Sequence, residues 1–492
     1  MSGSSLRFIQ LYQTLHPKEI KQFRAYIDSP YFNTNQRLVK LIDYLEHYNP
    51  EKEGEIDKEA IFAVLYEKEA TYNEQQVYDH FSFLLRLLEN FLAQQDYEND
   101  FPSRQRHLLS ALTLRDHEPH FQRSFQKAEK KWKQHPYRDA NYYLWRFLQF
   151  KEGSEFSGKQ QKRTDDDYLV QAIYSLDLGY LAFRLKYACE LLNRENILGD
   201  SSSESVVSWP EDLLTQIPES FRDIPVIQIY TQIYLTLQEP LHEKHYHELV
   251  KLLNTHTQEF PKREVNDMYT YAQNYCIKMI NSGNARYEQH LFSLFQNLLD
   301  KELLIENGVI DHRKYKNIVT VGLRMKEYNW VKNFLDEYRI YLPEKFQENA
   351  YHYNLASYFY EQDEYSQALQ LLNQISFSDV YYHLSSRAMI LKIYYEMEEE
   401  NALDSLLDTF RIFLDRNKNI SSYQRTVHKN LIRYTRKLNQ IRNQSGVLTE
   451  EQLGEKLRQL VLEMEKKASV ANINWLKEKA EQLGNGFLIE KM

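Results

Sequence analysis

The residues best suited to hold a metal ion are three histidines in the segment His242-Glu-Lys-His245-Tyr-His247. On a helix, residues three apart share a face, so His242 and His245 could bind one ion together. His247 points to another side of the helix, and no His-Glu-x-x-His motif supplies a third ligand. We therefore favour the simpler interpretation that these are polar positions at the start of a surface helix, and we predict no metal site.

Motifs of enzyme active sites are missing from the sequence. The chain has no phosphate-binding loop, no dinucleotide-binding glycine motif and no nucleophile-elbow motif. Its two cysteines, Cys189 and Cys276, lie in separate apolar helical patterns without paired-cysteine spacing. The sequence therefore predicts a protein that is not an enzyme, with no catalytic residue and no cofactor.

A basic stripe is the clearest charge feature, since the chain as a whole carries a formal net charge of −9. Residues 416–449 contain Lys and Arg but no Asp or Glu. Four of these cations, at spacings of four, four and three residues, fall on one side of a helix: Arg425, Lys429, Arg433 and Arg436. This basic stripe could bind an acidic partner such as nucleic-acid phosphate, or it could be neutralised by carboxylates of neighbouring helices. The sequence leaves both interpretations open.

The elements that position these residues are indicated by a repeated tyrosine. Tyr246, Tyr287, Tyr328 and Tyr365 follow one another at steps of 41, 41 and 37 residues. A leucine follows each tyrosine by seven residues, which is two helical turns: Leu253, Leu294, Leu335 and Leu372. Leu403 and Phe410 continue the series. Self-similarity at this period predicts an all-α chain of stacked helical hairpins, and the 13 glycines and 12 prolines are few, as long helices require.

Composition along the chain divides it into four predicted segments. These are a small helical module at 1–97, irregular hairpins at 103–223, degenerate repeats at 224–415, and a basic helix with capping helices at 416–492. Gly153–Lys162 and Gly199–Ser208 are expected to be exposed loops. Asp165–Asn196 is expected to form one long helix or a hairpin broken near Gly179. A capping box at Thr449–Gln452 should open the last helices, and Gly484 should end them.

The segment Tyr353–Leu372 closely resembles a tetratricopeptide (TPR) repeat. The residues that match its pattern are Leu355, Ala356, Phe359, Tyr365 and Ala368. The preceding unit is similar through Ile318, Val319, Tyr328, Leu335 and Pro343, although Val331 stands where the consensus has alanine. One good repeat and several degenerate ones cover roughly 224–415, and the whole chain resembles TPR-like proteins of bacteria to which no activity has been assigned.

This resemblance implies a right-handed superhelix that acts as a protein-binding scaffold. In such folds the first helices of the hairpins line the concave face. That face would carry Lys316, Asn317, Thr320, Arg324, Tyr353, Asn354, Ser357 and Tyr360. The carboxylate clamp of some TPR domains is incomplete, because Ser386 and Ile390 stand where cations are required. The implied partner is a protein or peptide, with nucleic acid on the basic stripe as the alternative.

The sequence also predicts a cytoplasmic protein. No run of eighteen apolar residues is present, so we expect no membrane span. Met1–Arg24 lacks the charged and apolar regions of a secretory signal. Two free, buried cysteines would suit a reducing compartment.

Overall fold

The computed structural model describes residues 3–47, 57–66, 71–160, 167–198, 214–375, 380–466 and 469–484. Helices make up most of these ranges, and no β-strand occurs within them. The predicted all-α class is therefore confirmed. The chain divides into two compact units, Met1–Arg184 and Leu185–Met492.

The helices described in the first unit have the following bounds: α1 Gly3–Tyr12, α2 Pro17–Asp28, α3 Gln36–His47, α4 Lys58–Leu65, α5 Glu74–Asn99, α6 Phe101–Leu114, α7 Glu118–Lys133, α8 Ala140–Lys159 and α9 Asp167–Leu198, which continues beyond residue 184.

Short polar side chains fix where several of these helices begin. Asp57 accepts hydrogen bonds from the backbone of Glu59 and Ala60 at the start of α4. Asn73 and Asp139 cap α5 and α8 in the same way. Each cap satisfies backbone N–H groups that the first turn of a helix leaves without partners.

The apolar faces of these helices form two clusters in the first unit. The buried residues of one cluster lie between Phe8 and Phe91, on α1 to α5 and at Leu15 between α1 and α2, all within the predicted module 1–97. The other cluster joins α6, α7, α8 and α9 through Leu109, Phe121, Phe156 and Ala172, with the rings of the two phenylalanines stacked at 4.1 Å.

The packing of α7, α8 and α9 shows the outcome of two predictions about glycines, the loop at Gly153–Lys162 and the possible break near Gly179. The expected loop at Gly153–Lys162 is wrong, because Gly153 lies inside α8. A Cβ atom there would lie 2.9 Å from the Cγ of Tyr168 and 3.1 Å from the ring of Phe125, so Gly153 lets three helices approach closely. Gly179 likewise lies against the backbone of Leu144 within the single long helix α9. Gly199–Ser208 lies outside the described residues.

Glu152 is a buried carboxylate in the same helix. Glu152 is only 5% exposed, and its Oε2 atom has no hydrogen-bond partner among the residues that the structure describes. Burial raises the pKa of Glu152, against a smaller opposing effect of the Lys151 and Arg106 charges. Burial therefore disfavours the charged form of Glu152 in the folded state.

We predict that Glu152→Gln stabilises the first unit more as the pH rises. The folded-state pKa is above the unfolded value, so wild-type stability is greatest at low pH and falls as pH rises through the folded pKa. The variant should unfold with a free energy higher by on the order of 1 kcal/mol at about pH 8, and with little difference at about pH 4. Denaturant titrations at both pH values measure this.

Glu98→Gln is the matched control, because Glu98 is exposed and paired with Arg104 at 3.2 Å, whereas the charge of Glu155 itself raises the pKa of Glu152. A stability gain in Glu152→Gln that did not change with pH, or the same gain in the control, would contradict this account of Glu152.

The helices described in the second unit, after the end of α9, have the following bounds: α10 Glu219–Arg222, α11 Pro225–Gln238, α12 Glu243–His256, α13 Lys262–Asn281, α14 Arg286–Asp300, α15 His312–Arg324, α16 Tyr328–Tyr338, α17 Glu344–Tyr360, α18 Tyr365–Leu372, α19 Val380–Glu396, α20 Glu400–Arg416, α21 Ser422–Gln444, α22 Glu450–Lys466 and α23 Ile473–Leu483.

These helices pack as neighbouring pairs. α11 contacts α12, α13 contacts α14, and the pairs continue through α21 and α22, while α15 also contacts α17 and α17 contacts α19. This arrangement is compatible with a helical-repeat fold. Thr449 and Gln452 exchange the predicted capping-box hydrogen bonds before α22, and Gly484 follows α23 as predicted.

The repeated sequence pattern coincides with the second helix of each pair. Every leucine of the series is buried: Leu253, Leu294, Leu335, Leu372 and Leu403. Tyr246 and Tyr287 are also buried, whereas Tyr328 and Tyr365 are half-buried. The repeat in the sequence therefore marks the buried face of each second helix.

A close contact between paired helices joins Gly322 of α15 to Val331 of α16. A Cβ atom on Gly322 would lie 2.5 Å from a γ-methyl carbon of Val331. The step of 37 residues that relates Tyr328 to Tyr365 places Phe359 and Ala368 at the corresponding positions of the next pair. Ala368 is fully buried. The small residue at the contact is therefore on the first helix in one pair, as Gly322, and on the second helix in the next, as Ala368. Both arrangements allow the paired helices to pack closely.

We predict that Gly322→Ala destabilises the second unit although alanine favours helices. Overpacking costs about 1–3 kcal/mol, which exceeds the about 1 kcal/mol that alanine gains over glycine within a helix. In a Val331→Ala background the same change should become stabilising, since the obstructing methyl groups are gone. A double-mutant cycle in chemical denaturation measures the coupling. Additive effects of the two substitutions would show that this contact is absent.

Candidate binding surface on the first helices

The eight residues implied by the TPR resemblance lie on the first helices of two successive pairs. Four are on α15 and four are on α17. The Asp311 side chain caps α15 by accepting from the backbone of Arg313 and Lys314, and Pro343 immediately precedes α17. These features fix the residues at which the two helices begin.

Lys316 connects three consecutive first helices. Its ammonium group lies 4.6 Å from the centre of the Tyr353 ring on α17 and donates a 2.9 Å hydrogen bond to Ser385 Oγ on α19. Nearby, the His312 ring stacks on Phe346 with centroids 4.3 Å apart. Side chains of α15, α17 and α19 therefore meet in one surface, which we call the first-helix surface.

Two of the eight predicted residues lie beneath this surface. Asn354 is fully buried, and its amide nitrogen donates to the backbone oxygen of Ala350 in its own helix at 2.7 Å. Tyr353 is buried under Lys316, and burial raises the pKa of its phenol to about 12, with opposing contributions from Ser357 and Ser385. The expectation that Tyr353 and Asn354 are available to a partner is corrected accordingly.

The other six residues remain accessible to different degrees. Asn317, Thr320 and Arg324 are exposed, and Lys316, Ser357 and Tyr360 are half-buried. Arg324 pairs with Glu288 at 3.3 Å, and the Thr320 hydroxyl donates to the Lys316 backbone. The Asn317 amide has no hydrogen-bond partner in the described part of the chain.

Ser385 and Lys392 belong to the same surface but are not among the predicted residues. They lie seven residues apart, on one face of α19, and Lys392 Nζ lies 4.2 Å from the centre of the Tyr360 ring. Burial lowers the pKa of Lys392, and burial raises the pKa of the neighbouring Glu361. Their two-turn spacing repeats that of Tyr353 and Tyr360 on α17, and this is the sequence signal that could have identified them.

Glu396 closes one end of this cluster. It accepts a 2.9 Å hydrogen bond from the Trp475 indole nitrogen and pairs with Lys479 at 2.8 Å, so that α23 is held against α19. Both charged side chains are largely buried, and each satisfies the other.

The basic stripe on α21 is engaged by carboxylates of the neighbouring helices. Lys429 pairs with Asp415 at 2.5 Å, and Arg436 pairs with Asp408 at 2.7 Å, both on α20. Arg433 lies 3.5 Å from Glu463 on α22. The fourth cation, Arg425, donates to the backbone oxygen of Asn417 at 2.9 Å. This geometry favours the neutralised interpretation over a free positive surface.

His242 immediately precedes α12 and His245 lies within it, and both lie close to the carboxylate of Glu239, His245 Nε2 at 3.7 Å. His242 Nδ1 lies 2.7 Å from Glu239 Oε2, and His245 Nδ1 lies 3.0 Å from Gln232 Oε1. In the described ranges, no three side chains of His, Cys, Asp or Glu come together in a way that could hold a metal ion. Among the same residues, no helix is long and apolar enough to cross a membrane.

The chain matches no protein family, no curated protein and no solved structure. The TPR resemblance therefore stays a prediction, supported by the paired helices and the buried leucine series alone.

We predict that reversing two cations of the basic stripe, Lys429→Glu with Arg433→Glu, lowers the melting temperature. Each change removes an ion pair and places a carboxylate beside Asp415 or Glu463. The charge swap Lys429→Glu with Asp415→Lys should recover most of the loss caused by Lys429→Glu alone. Thermal unfolding at low salt measures both effects. A double reversal without effect on melting would indicate that the cations are free in solution.

Proposed function

We propose that this protein is a non-catalytic scaffold or adaptor that binds a protein or peptide partner on its first-helix surface. The observation that carries the proposal is the contact of Lys316 with both Tyr353 and Ser385. It joins three consecutive first helices into one fixed polar surface, and surfaces fixed before binding require less ordering when a partner arrives.

The exposed residues of this surface suit recognition of a peptide. Asn317 offers an unpaired donor and acceptor, Arg324 offers further donors at the edge, and the half-buried Tyr360 ring offers the apolar area that Lys392 does not cover. Aromatic residues and arginine are the types that contribute most to binding energy in protein interfaces. The proposed architecture is a right-handed TPR-like superhelix with this surface on its concave side.

The shifted pKa values of the surface support a structural role rather than catalysis. Such shifts indicate active sites when the groups open into a cleft. Tyr353 is instead covered by Lys316, and Lys392 packs over Tyr360. We therefore propose no enzymatic activity and no cofactor.

A cytoplasmic location is proposed from the cysteines. Cys189 and Cys276 are both free and buried, and the Cys276 thiol donates to the Tyr246 hydroxyl at 3.2 Å. Free, buried thiols are typical of proteins in a reducing compartment. The ion pairs of the basic stripe argue against the alternative of a nucleic-acid-associated protein, because counterion release requires available cations.

The test is quantitative affinity capture of partners from lysate of the native host, with wild type and two matched variants. Asn317→Arg with Thr320→Arg obstructs the first-helix surface. Ser366→Arg with Gln370→Arg adds the same two cations at exposed positions of the second helix α18. We expect the first variant to lose its partner by at least about tenfold in affinity, which is about 1.4 kcal/mol, and the second to retain it.

Melting curves of both variants should match wild type, since exposed substitutions change stability by under about 0.5 kcal/mol. Retention of the same partners by the obstructed variant, or their loss from both variants equally, would contradict the proposal.

A further inference from the structure

A second surface with its own binding chemistry lies on the second helices α14 and α16. Between them runs a groove of about 570 Å³. Pockets that bind ligands in proteins span about 300–1,000 Å³, so the groove is large enough to hold several side chains of a partner. Its walls consist of polar side chains from both helices and an aromatic row from α16.

The aromatic row forms one wall of the groove. Trp330, Phe334 and Tyr338 recur every four residues on α16, with ring centroids 5.6 Å and 4.9 Å apart in stacked orientations. Phe292 of α14 meets the Trp330 ring edge-on at 4.8 Å and holds it in place. Phe334 is buried, whereas Trp330 and Tyr338 keep part of their rings accessible.

The polar walls consist of side chains that have no polar partners within the described part of the protein. The groove is lined by Ser293, Gln296, Asn297, Asp300, Asn333 and Glu337. Within the part of the chain that the structure describes, none of these six side chains has a hydrogen-bond or ion-pair partner. Six adjacent side chains without partners, on two facing helices, leave a dense set of donors and acceptors for a ligand.

The charge of the groove is negative. Burial raises the pKa of the Tyr338 phenol, and the carboxylates of Glu337, Asp300 and Glu302 raise it further. The cations closest in sequence are occupied elsewhere. Lys301, which follows Asp300, donates to the Thr257 hydroxyl at 3.2 Å, Lys332 pairs with Asp336, and Arg339 pairs with Glu348.

We propose that this groove binds an extended, basic peptide segment of a partner. Asn and Gln amides can donate to and accept from successive peptide groups of an extended chain. The faces of Trp330 and Tyr338 can hold the stems and charges of Lys or Arg, and Asp300 with Glu337 can pair with those charges. Two unpaired carboxylates favour a cationic peptide over a neutral sugar, although aromatic and amide groups would suit both.

The groove lies on second helices and shares no residue with the first-helix surface, so binding at one does not depend on binding at the other. The obstructing variant of the first-helix surface should leave the groove intact, so either proposal can fail alone.

The test uses fluorescence polarisation with a labelled (Lys-Pro)5 peptide, whose repeating prolines keep it extended before binding. Wild type should bind it, and Asp300→Asn with Glu337→Gln should weaken binding at least tenfold. Asn333→Ala should weaken it at least threefold. Asp336→Asn is the matched control, since Asp336 is on the same helix but does not line the groove. Its affinity should stay within twofold of wild type.

Three results would overturn the proposal. They are absence of binding to (Lys-Pro)5, equal weakening by the groove variant and the Asp336 control, and equal binding of the acidic peptide (Glu-Pro)5. Binding of cellopentaose that is lost in the groove variant, without binding of (Lys-Pro)5, would assign the groove to a sugar instead. Unchanged melting curves of the variants exclude misfolding as the cause of any loss.

Discussion

Close packing within each helix pair is the constraint on which the second unit depends. The contact of Gly322 with Val331 leaves no space for a further methyl group, and Ala368 is fully buried in the next pair. Because each second helix must lie this near its partner, the leucine series is buried and the first helices turn their remaining polar faces away from the core. Both candidate surfaces follow from this constraint, one on first helices and one on second helices.

The two surfaces differ in whether their charged side chains already have partners within the protein. On the first-helix surface, Lys316 and Lys392 are engaged with rings of the neighbouring helices, which fixes the surface and leaves Asn317 available. In the groove between α14 and α16, the carboxylates of Asp300 and Glu337 have no described partner. The first arrangement suits a preorganised protein interface, whereas the second suits capture of a charged, extended segment.

The sequence predicted the features that depend on local periodicity. The leucine series, the capping box at Thr449 and the helical class all follow from spacing along one helix, and the structure contains each of them. Gly153 was misread because a glycine that admits a neighbouring helix has the same appearance in sequence as a glycine that makes a loop. Helical phase alone also could not show that Asn354 would be buried, since its burial depends on how α17 is rotated by its neighbours.

The neutralisation of the basic stripe required Asp408, Asp415 and Glu463, which reach it only through the packing of α20 and α22 against α21.

The central claim is that a partner is bound by first helices. Hydrogen-exchange mass spectrometry of the chain, alone and saturated with its captured partner, tests it most directly. The account predicts slower exchange in peptides from α15, α17 and α19, because binding suppresses local opening of the helices that it covers. Slower exchange confined to α21, or to second helices such as α16 and α18, with α15 and α17 unchanged, would contradict it.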